Sequence, residues 1–325
     1  MFKFGLDIGY SNLKMAFGLK DKGLNTKVLP IGAGPIDLLP QQLSGGTAEV
    51  IQVQIDDEKW VAGVEPERLQ GWDRELHGDY PATKSYRALF YAALLLSEQS
   101  TIDVLVTGLP VSQYLQPERR EALQARLMGE HRITPKRTVT VNEVKLVPQP
   151  TGAFMDMVNS SSDEELLDTI SEGRTIVIDP GYFSVDWVLL NEGEVRQNSS
   201  GTSLKAMSML LAETNRLIQE DHGAAPGVDS IEKAVRAGKD SMLLLGQRID
   251  IRPYFASASE KIAPNALVPL RQSMREDGLN VDLVVLAGGG AKSYYEASKE
   301  IFPRSRIVVS DDPVLANARG FWHCA

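Results

Sequence analysis

The chain has 325 residues, of which 43% are hydrophobic, and its formal net charge is −9 with a pI near 5.1. This length and apolar content suit two ordinary cores better than one large core, so we expect two domains. The negative balance contains no basic run, which argues against direct binding to nucleic acid. The single cysteine, Cys324, cannot form an internal disulfide and fits a reducing compartment.

The sequence carries no recognisable targeting signal. The amino terminus runs straight into a strand pattern rather than a signal peptide, and no apolar stretch reaches membrane-spanning length. The four histidines are scattered and give no metal-ligand spacing. We therefore expect a cytoplasmic protein with no membrane partner.

The first predicted element is an apolar hairpin over residues 4–17, pinched around a polar tip. The tip combines a carboxylate, a glycine that lets backbone approach a ligand, hydroxyl and amide groups, and a lysine that would neutralise phosphate charge. Such a set is typical of a phosphate and metal site. A solvated strand position is the alternative for the lysine, and only its place beside Asp7 favours the phosphate role. The tip residues are Asp7, Gly9, Tyr10, Ser11, Asn12 and Lys14.

The next part of the chain predicts a side lobe and then the rest of a first domain. Residues 25–80 are rich in Gly, Pro and Gln and indicate an inserted lobe with limited core. Periodicity then predicts further elements, namely strands at 49–55, 58–63, 102–110 and 138–147 and helices at 83–98 and 117–128. The last strand leads into Gln149, which neighbouring prolines and a glycine hold at a strand-to-helix junction. Gln149 would either orient an attacking water or bind backbone at that junction.

The plan of the first hairpin recurs at residues 175–190. Both copies read as an apolar strand, Asp-x-Gly-Tyr, polar residues and a second strand, so Asp179 corresponds to Asp7. One such motif is uninformative because aspartates commonly close turns, but two copies predict two similar half-molecules facing one ligand. We expect both carboxylates to face a magnesium ion through its waters. The second tip would bind phosphate through Gly181, Tyr182, Phe183 and Ser184.

The remaining third of the chain predicts a mostly helical segment followed by a glycine-rich junction. Ser203 is the expected cap of a helix from Leu204 to about Glu220, on which Glu213 would reach a ribose or adenine. Gly288, Gly289 and Gly290 end a buried strand and suit a backbone lying against a nucleotide. The other predicted elements are helices at 230–236, 242–245, 254–276, 293–300 and 313–322, and strands at 281–291 and 306–309.

Together these segments resemble, in order, the five motifs of the actin-like ATPase superfamily. The two phosphate motifs are similar to residues 7–14 and 179–186, and the adenosine motif to residues 286–291. The two connecting motifs are similar to residues 149–153 and 314–320. Within the superfamily, the size and the segments 108–110, 199–204 and 317–320 look like the ParM/StbA plasmid-segregation branch.

The resemblance implies an α/β fold of two similar actin/ribonuclease-H-like domains, each a mixed sheet flanked by helices, around a central nucleotide cleft. Domain I would comprise residues 1–150 and 311–325, with the lobe at about 25–80 inserted, and domain II residues 151–310. The implied cofactors are ATP (or ADP) and Mg²⁺. The implied partners are further copies of the chain in a filament and a DNA-binding adaptor protein.

The resemblance also implies an ATPase in which Asp7, Asp179 and Gln149 serve hydrolysis, and it adds Gly201 and Thr202 to the nucleotide-binding residues. The bulky Tyr10 and Tyr182 depart from the family pattern. A small-molecule kinase of the same fold is an alternative, with Asp186 as the candidate catalytic acid. A nucleotide-binding assembly module without catalysis is another.

Overall fold

The structure is a computed structural model that describes residues 1–40, 50–275 and 277–325. These residues divide into two compact units, which we call unit 1 (Met1–Ser162 with Ser310–Ala325) and unit 2 (Asp163–Val309). Each unit has its own main sheet and its own hydrophobic core, as the two-domain α/β prediction requires. Glu49 and Glu276, the predicted ends of a strand and of a helix, lie outside the described residues.

Unit 1 is built around a six-stranded mixed sheet. Its strands are β1 (Phe2–Ile8), β2 (Asn12–Leu19), β3 (Asn25–Pro30), β4 (Gly32–Pro35), β5 (Ile51–Ile55), β6 (Glu58–Val64), β7 (Thr101–Leu109), β8 (Gly129–Thr134) and β9 (Arg137–Pro148). The main sheet has the order β3-β2-β1-β7-β9-β8, in which β7 runs parallel to both β1 and β9. A smaller sheet, β4-β6-β5, accounts for most of the predicted lobe.

The helices of unit 1 cover this sheet. They are α1 (Lys84–Leu96), α2 (Val111–Tyr114), α3 (Pro117–Leu127) and α4 (Gln149–Ser160), with short 3-10 turns at Ile36–Leu38, Pro66–Arg68 and Tyr80–Ala82. Thr83 caps α1 by accepting a hydrogen bond from the Tyr86 amide at 3.2 Å. The apolar face of α1 packs in one core with Phe4 and Leu6 of β1 and with Ile55 of the small sheet, so the lobe shares the core of the unit.

Unit 2 repeats the sheet plan. Its strands are β10 (Arg174–Pro180), β11 (Val185–Asn191), β12 (Glu194–Ser203), β13 (Ser241–Leu244), β14 (Gln247–Asp250), β15 (Leu283–Leu286) and β16 (Arg306–Val309). The main sheet has the order β12-β11-β10-β15-β16, with antiparallel pairs up to β10 and parallel pairs after it. In both units the first strand therefore pairs antiparallel with the second and parallel with the fourth strand of the sheet.

The helices of unit 2 are α5 (Glu164–Glu172), α6 (Met207–His222), α7 (Val228–Arg236), α8 (Arg252–Ala266), α9 (Val268–Ser273) and α10 (Tyr295–Ile301), which a 3-10 turn at Ala291–Tyr294 precedes. The chain then returns to unit 1 through α11 (Ala316–Cys324). None of the helices in the described residues is long and apolar enough to cross a bilayer.

Helix α11 packs on α4 and β1 at unusually close range. A β-carbon on Gly320 would lie 1.6 Å from the carbonyl oxygen of Gly152, and one on Gly5 would lie 2.1 Å from that of Ala318. The contact is fixed by Arg319, whose guanidinium donates to the Asp156 carboxylate at 2.6 and 2.8 Å. Backbone contact is the reason for the small residues at this crossing.

Several predicted elements were wrong in type or extent. Residues 242–245 were predicted as a helix, but residues 242–244 belong to β13 and Leu245 lies in the turn after it, because a short apolar run has no period that separates helix from strand. The predicted helix at 254–276 is two helices, α8 and α9, which break at Leu267 ahead of Pro269. Helix α6 begins at Met207 rather than Leu204, because Ser203 stays paired with Val185 in the sheet.

Candidate functional site

The tip of the first hairpin joins Asp7 and Lys14 in a buried ion pair. The two residues lie opposite each other in the β1–β2 register, and Lys14 Nζ is 2.6 Å from Asp7 Oδ2. The Lys14 side chain is 15% exposed and the Asp7 side chain 2%. The tip itself is closed by the Gly9 amide, which donates to the Asn12 carbonyl at 3.0 Å, while Asn12 Nδ2 donates to Ser11 Oγ at 3.1 Å.

Gln149 reaches the same carboxylate from a distant part of the sequence. Its Nε2 donates to Asp7 Oδ1 at 3.3 Å, so the amide and the lysine occupy different oxygens of Asp7. Gln149 begins α4 directly after β9. Gly108 on the neighbouring β7 makes room for it, since a β-carbon there would lie 2.7 Å from Gln149 Cγ. Asp7, Lys14 and Gln149 thus form one polar cluster in unit 1.

The second hairpin has the same geometry as the first. Asp179 lies opposite Asp186 in the β10–β11 register, and the Gly181 amide closes the tip by donating to the Ser184 carbonyl at 2.8 Å. The position that a lysine holds in the first hairpin is therefore held by Asp186. Its buried carboxylate accepts hydrogen bonds from Ser184 Oγ at 2.6 Å and from Thr202 Oγ1 at 2.5 Å. Both oxygens of Asp186 have hydroxyl donors, which disfavours a role as a catalytic acid.

The glycine triplet wraps around the second hairpin. The Gly290 amide donates to the Pro180 carbonyl at 2.9 Å, which fastens the end of β15 to the tip that follows β10. Gly288 has a φ of +74° and a β-carbon there would lie 2.0 Å from Asp179 Oδ1. Gly289 faces open space, with no neighbouring atom within 4 Å of such a carbon. The triplet therefore lies beside Asp179.

Helix α6 begins at the tip of the second hairpin. Its Met207 and Ser208 amides donate to the carbonyls of Gly181 and Tyr182 at 3.2 and 2.9 Å. Tyr182 packs at the edge of an apolar cluster with α6 and α7, and Phe183 is half-buried in the turn. The Gly9 and Gly181 amides close their own turns by donating to the Asn12 and Ser184 carbonyls.

Two residues that were predicted to contact the nucleotide, Gly201 and Glu213, contact other side chains of unit 2. Gly201 lies under the indole of Trp187, where a β-carbon would come within 2.7 Å of the ring. Glu213, about two turns along α6 from Met207, pairs with Arg216 and Lys261, each at 2.8 Å. Hydrogen bonds first from Arg216 and then from Lys261 lower the pKa of Glu213 to about 2, so it is ionised at neutral pH.

Sequence reasoning missed the segment that braces Tyr10. Arg74 Nη1 donates to the Tyr10 carbonyl at 2.8 Å, and Tyr10 Oη donates to the His77 carbonyl at 2.8 Å. The Tyr10 ring packs on Tyr80 with centroids 4.8 Å apart. Burial raises the pKa of Tyr80 well above its ordinary value. Residues 74–80 lack any periodicity, so only the aromatic and basic side chains hinted at this contact.

The donor set fits a magnesium nucleotide better than a protein-enclosed metal. Within the described ranges, no three His, Cys, Asp or Glu side chains gather around a common point. Asp7 and Asp179 are buried carboxylates that each precede a glycine turn by two residues. Mg²⁺ retains waters and commonly binds through one or two carboxylates plus phosphate oxygens. The tips would supply the carboxylates, and a nucleotide would supply the phosphate oxygens.

Comparison with known proteins agrees with this architecture. Residues 5–152 match the family described as actin like proteins N terminal domain, and residues 177–300 match the archaeal actin homologue MreB-like C-terminal family. The chain belongs to the actin-like proteins. No curated protein sequence matches it. The predicted actin-like fold of two similar domains is confirmed.

Solved structures of actin-like proteins resemble the whole chain. The archaeal actin homologue Ta0583 has a TM-score of 0.77 at 18% identity, covering 100% of this chain and 99% of that one. A ParM protein in a 15-stranded filament from Clostridium botulinum has a TM-score of 0.75 at 18% identity, with coverages of 99% and 98%. ParM of Bacillus thuringiensis with AMPPNP has a TM-score of 0.63 at 13% identity, with coverages of 100% and 98%.

Proposed function

We propose that this actin-like protein binds magnesium ATP or ADP, hydrolyses ATP and assembles into filaments that serve plasmid segregation through a DNA-binding adaptor. The observation that carries the proposal is the duplicated hairpin, with Asp7 and Asp179 at equivalent register positions beside a glycine-closed tip. A single acidic turn has many uses, whereas two equivalent ones suit a ligand that both halves share.

In this proposal the chain contributes positioning and charge rather than covalent chemistry. Lys14, the hydroxyl of Ser11 and backbone amides of the two tips such as that of Ser184 bind phosphate oxygens. Asp7 and Asp179 hold a divalent ion through water, and that ion would neutralise charge on the phosphates. Gln149, which already donates to Asp7, orients the attacking water, because a neutral amide is too weak a base to take its proton.

Nucleotides and filaments are recorded for the similar structures. Ta0583 has been solved as a complex with ADP, and the Bacillus thuringiensis ParM with AMPPNP. The Clostridium botulinum ParM forms the filament named above. These facts concern those proteins, which share at most 18% identity with this chain, and they support the proposal by likeness of fold.

The proposal is tested by pelleting the pure protein with magnesium and ATP, AMPPNP, ADP or GTP, while phosphate release is measured in parallel. We expect ATP and AMPPNP to bring the protein into the pellet and ATP alone to release phosphate. Protein that binds ATP and magnesium but stays in the supernatant at every concentration would refute assembly. Phosphate release that requires an added small-molecule acceptor would favour the kinase alternative.

Gln149→Ala separates hydrolysis from assembly. Removal of the amide leaves phosphate binding intact, so the variant should pellet with ATP and release phosphate 10- to 100-fold more slowly. Gln70→Ala, at an exposed glutamine of unit 1 outside the polar cluster, is the matched control and should hydrolyse ATP like the wild type. An alanine variant that hydrolyses ATP at the wild-type rate would remove Gln149 from the reaction. Absence of ATP hydrolysis in the wild type as well as in the variant would support the non-catalytic assembly module.

A further inference from the structure

The hairpin of β13 and β14 presents two leucines to solvent. One face of the hairpin, with Leu244 and Ile249, is buried in an apolar cluster with α6 and α7. The other face carries Leu243, which is 67% exposed, and the turn carries Leu245, which is 79% exposed. These are the two most exposed large apolar side chains in the part of the chain that the structure describes. Neither contributes to the core of unit 2.

Leu245 also occupies a backbone position that favours a different residue. It has a φ of +48° and is followed by Gly246 with a φ of +80°, between the paired residues Leu244 and Gln247. Positive φ at both central positions defines a type I′ hairpin turn, for which Asn-Gly is the favoured pair. A leucine there is sterically disfavoured and exposes apolar surface as well. Both costs are explained if the side chain makes a contact outside the unit.

An open groove of about 860 Å³ lies elsewhere in unit 2, between α5, residues 279–282 and residues 301–306. Its accessible apolar lining comes from Leu279, Ile301 and Pro303, while Val281 and Phe302 beneath them belong to the buried core of unit 2. One wall is acidic because Glu165, Asp168 and Glu172 recur at helical spacing along a single face of α5. Arg304 and Arg306 lie across from it, and Arg306 pairs with Asp163 at 2.6 Å.

The groove and the hairpin lie at opposite ends of the parallel strands of unit 2. The groove is bordered by Gly173, Asp282 and Arg306, which stand at the amino-terminal ends of β10, β15 and β16. The carboxyl end of β10 leads to Tyr182, which packs against the cluster that holds the hairpin. A contact between the two surfaces therefore requires two molecules.

We propose that the hairpin tip of one copy docks into this groove of a second copy of the same chain. Leu243 and Leu245 would cover the apolar lining. Arg248 lies directly opposite Leu243 in the hairpin register, so it projects from the same face and meets the carboxylates of α5. Because the two surfaces differ and lie at opposite ends, the contact is head-to-tail and extends into an open chain. The inference rests on the proposed self-association and names the surfaces that carry it.

The hairpin side is tested with the double variant L243S/L245N. Asparagine suits the turn at position 245, so the hairpin should remain folded while its apolar tip is lost. In the pelleting assay with AMPPNP we expect at least a tenfold higher critical concentration, with nucleotide binding unchanged. Val268→Ser, at another exposed apolar residue of unit 2, is the matched control and should pellet like the wild type.

The groove side is tested by charge reversal on α5. Asp168→Lys should weaken assembly, Arg248→Glu should weaken it likewise, and the two together should recover part of the loss. A mixture of L243S/L245N with Asp168→Lys should yield a heterodimer by light scattering after gel filtration, because each variant retains one intact surface. Neither variant should dimerise alone.

The outcomes separate this inference from the proposed function. If the wild-type chain does not assemble with any nucleotide, self-association itself fails. If the wild type assembles and L243S/L245N assembles at the same critical concentration, self-association stands and the hairpin contact is wrong. The hairpin variant could lose assembly while the mixture forms no heterodimer and the charge reversals show no rescue. That result would overturn docking into this groove and would mean that the hairpin contacts a different surface.

Discussion

Asp7 is the residue on which the polar cluster of unit 1 depends. Its carboxylate is almost fully buried, and each of its oxygens has one partner, Lys14 or Gln149. Removal of one member of a buried ion pair costs more than an exposed pair contributes, because the other charge is left without compensation. Lys14 therefore stabilises the ligand-free protein as well as serving the proposed phosphate site.

We predict that Lys14→Met lowers the free energy of unfolding by about 3–5 kcal/mol, measured by urea denaturation. Adding Asp7→Asn to it should recover part of the loss, since the uncompensated charge is then removed. Lys84→Met is the control, because its pair with Asp56 has both side chains about half exposed and such solvent-screened pairs contribute little to stability. Equal effects of the two lysine variants would contradict the buried-pair account.

His131 predicts a pH dependence of stability. Its ring packs edge-on against Phe90 and Nε2 hydrogen-bonds with the Leu127 carbonyl at 3.0 Å. Burial lowers the pKa of His131 from 6.5. The unfolded chain then binds more protons than the folded one as the pH falls below 6.5, so stability should fall in that direction. Between pH 8 and 5, the free energy of unfolding of His131→Gln should change less with pH than that of the wild type. An equal pH dependence in the two proteins would contradict this account.

The two hairpins show how much of the site was readable from sequence. Alternating apolar strands around Asp-x-Gly predicted β1–β2 and β10–β11, and their spacing predicted that Asp7 and Asp179 would be equivalent. The bracing of Tyr10 by Arg74 was not readable, because it joins a turn to an irregular segment through one carbonyl. Glu213 was readable only as a polar helix residue, since its ion partner Lys261 lies 48 residues away.

The junction of β15 with the second hairpin gives a matched pair of glycine substitutions. Gly288→Ala places a β-carbon on the Asp179 carboxylate and forces an unfavourable φ, so we predict a loss of about 2 kcal/mol or more in the free energy of unfolding. Gly289→Ala meets no neighbouring atom and should stay within about 0.5 kcal/mol of the wild type. Chemical denaturation of both variants checks this, and similar losses would mean that the junction is not rigid.

For the molecule as a whole, the repeated sheet order was the most predictable property. It follows from two copies of one hairpin followed by strands that return in parallel, a pattern visible in the chain. Helix α5, with which unit 2 begins, was not predicted, because its buried Leu166 and Ile170 stand among acidic and polar residues. The side lobe was also misjudged, since its strands were expected to have a limited core and instead join the core of unit 1.

A nucleotide bound to the folded chain should stabilise it by mass action. At a free concentration 100 times the dissociation constant, magnesium ATP should add about 2.7 kcal/mol to the free energy of unfolding. Thermal shift with and without magnesium measures the effect. Asp179→Asn should reduce the shift while the ligand-free melting temperature stays near that of the wild type. An unchanged shift in this variant would exclude Asp179 from the metal nucleotide.

The leucine at the type I′ turn has a consequence for attempts to improve this protein by selection. A library screened for heat resistance alone would favour asparagine at position 245, since that residue suits the turn and removes exposed apolar surface. If Leu245 carries the contact between copies, the winners of such a screen would be more robust and less able to assemble. Screening on assembly instead should retain leucine or another bulky apolar residue at that position, against the local preference of the backbone.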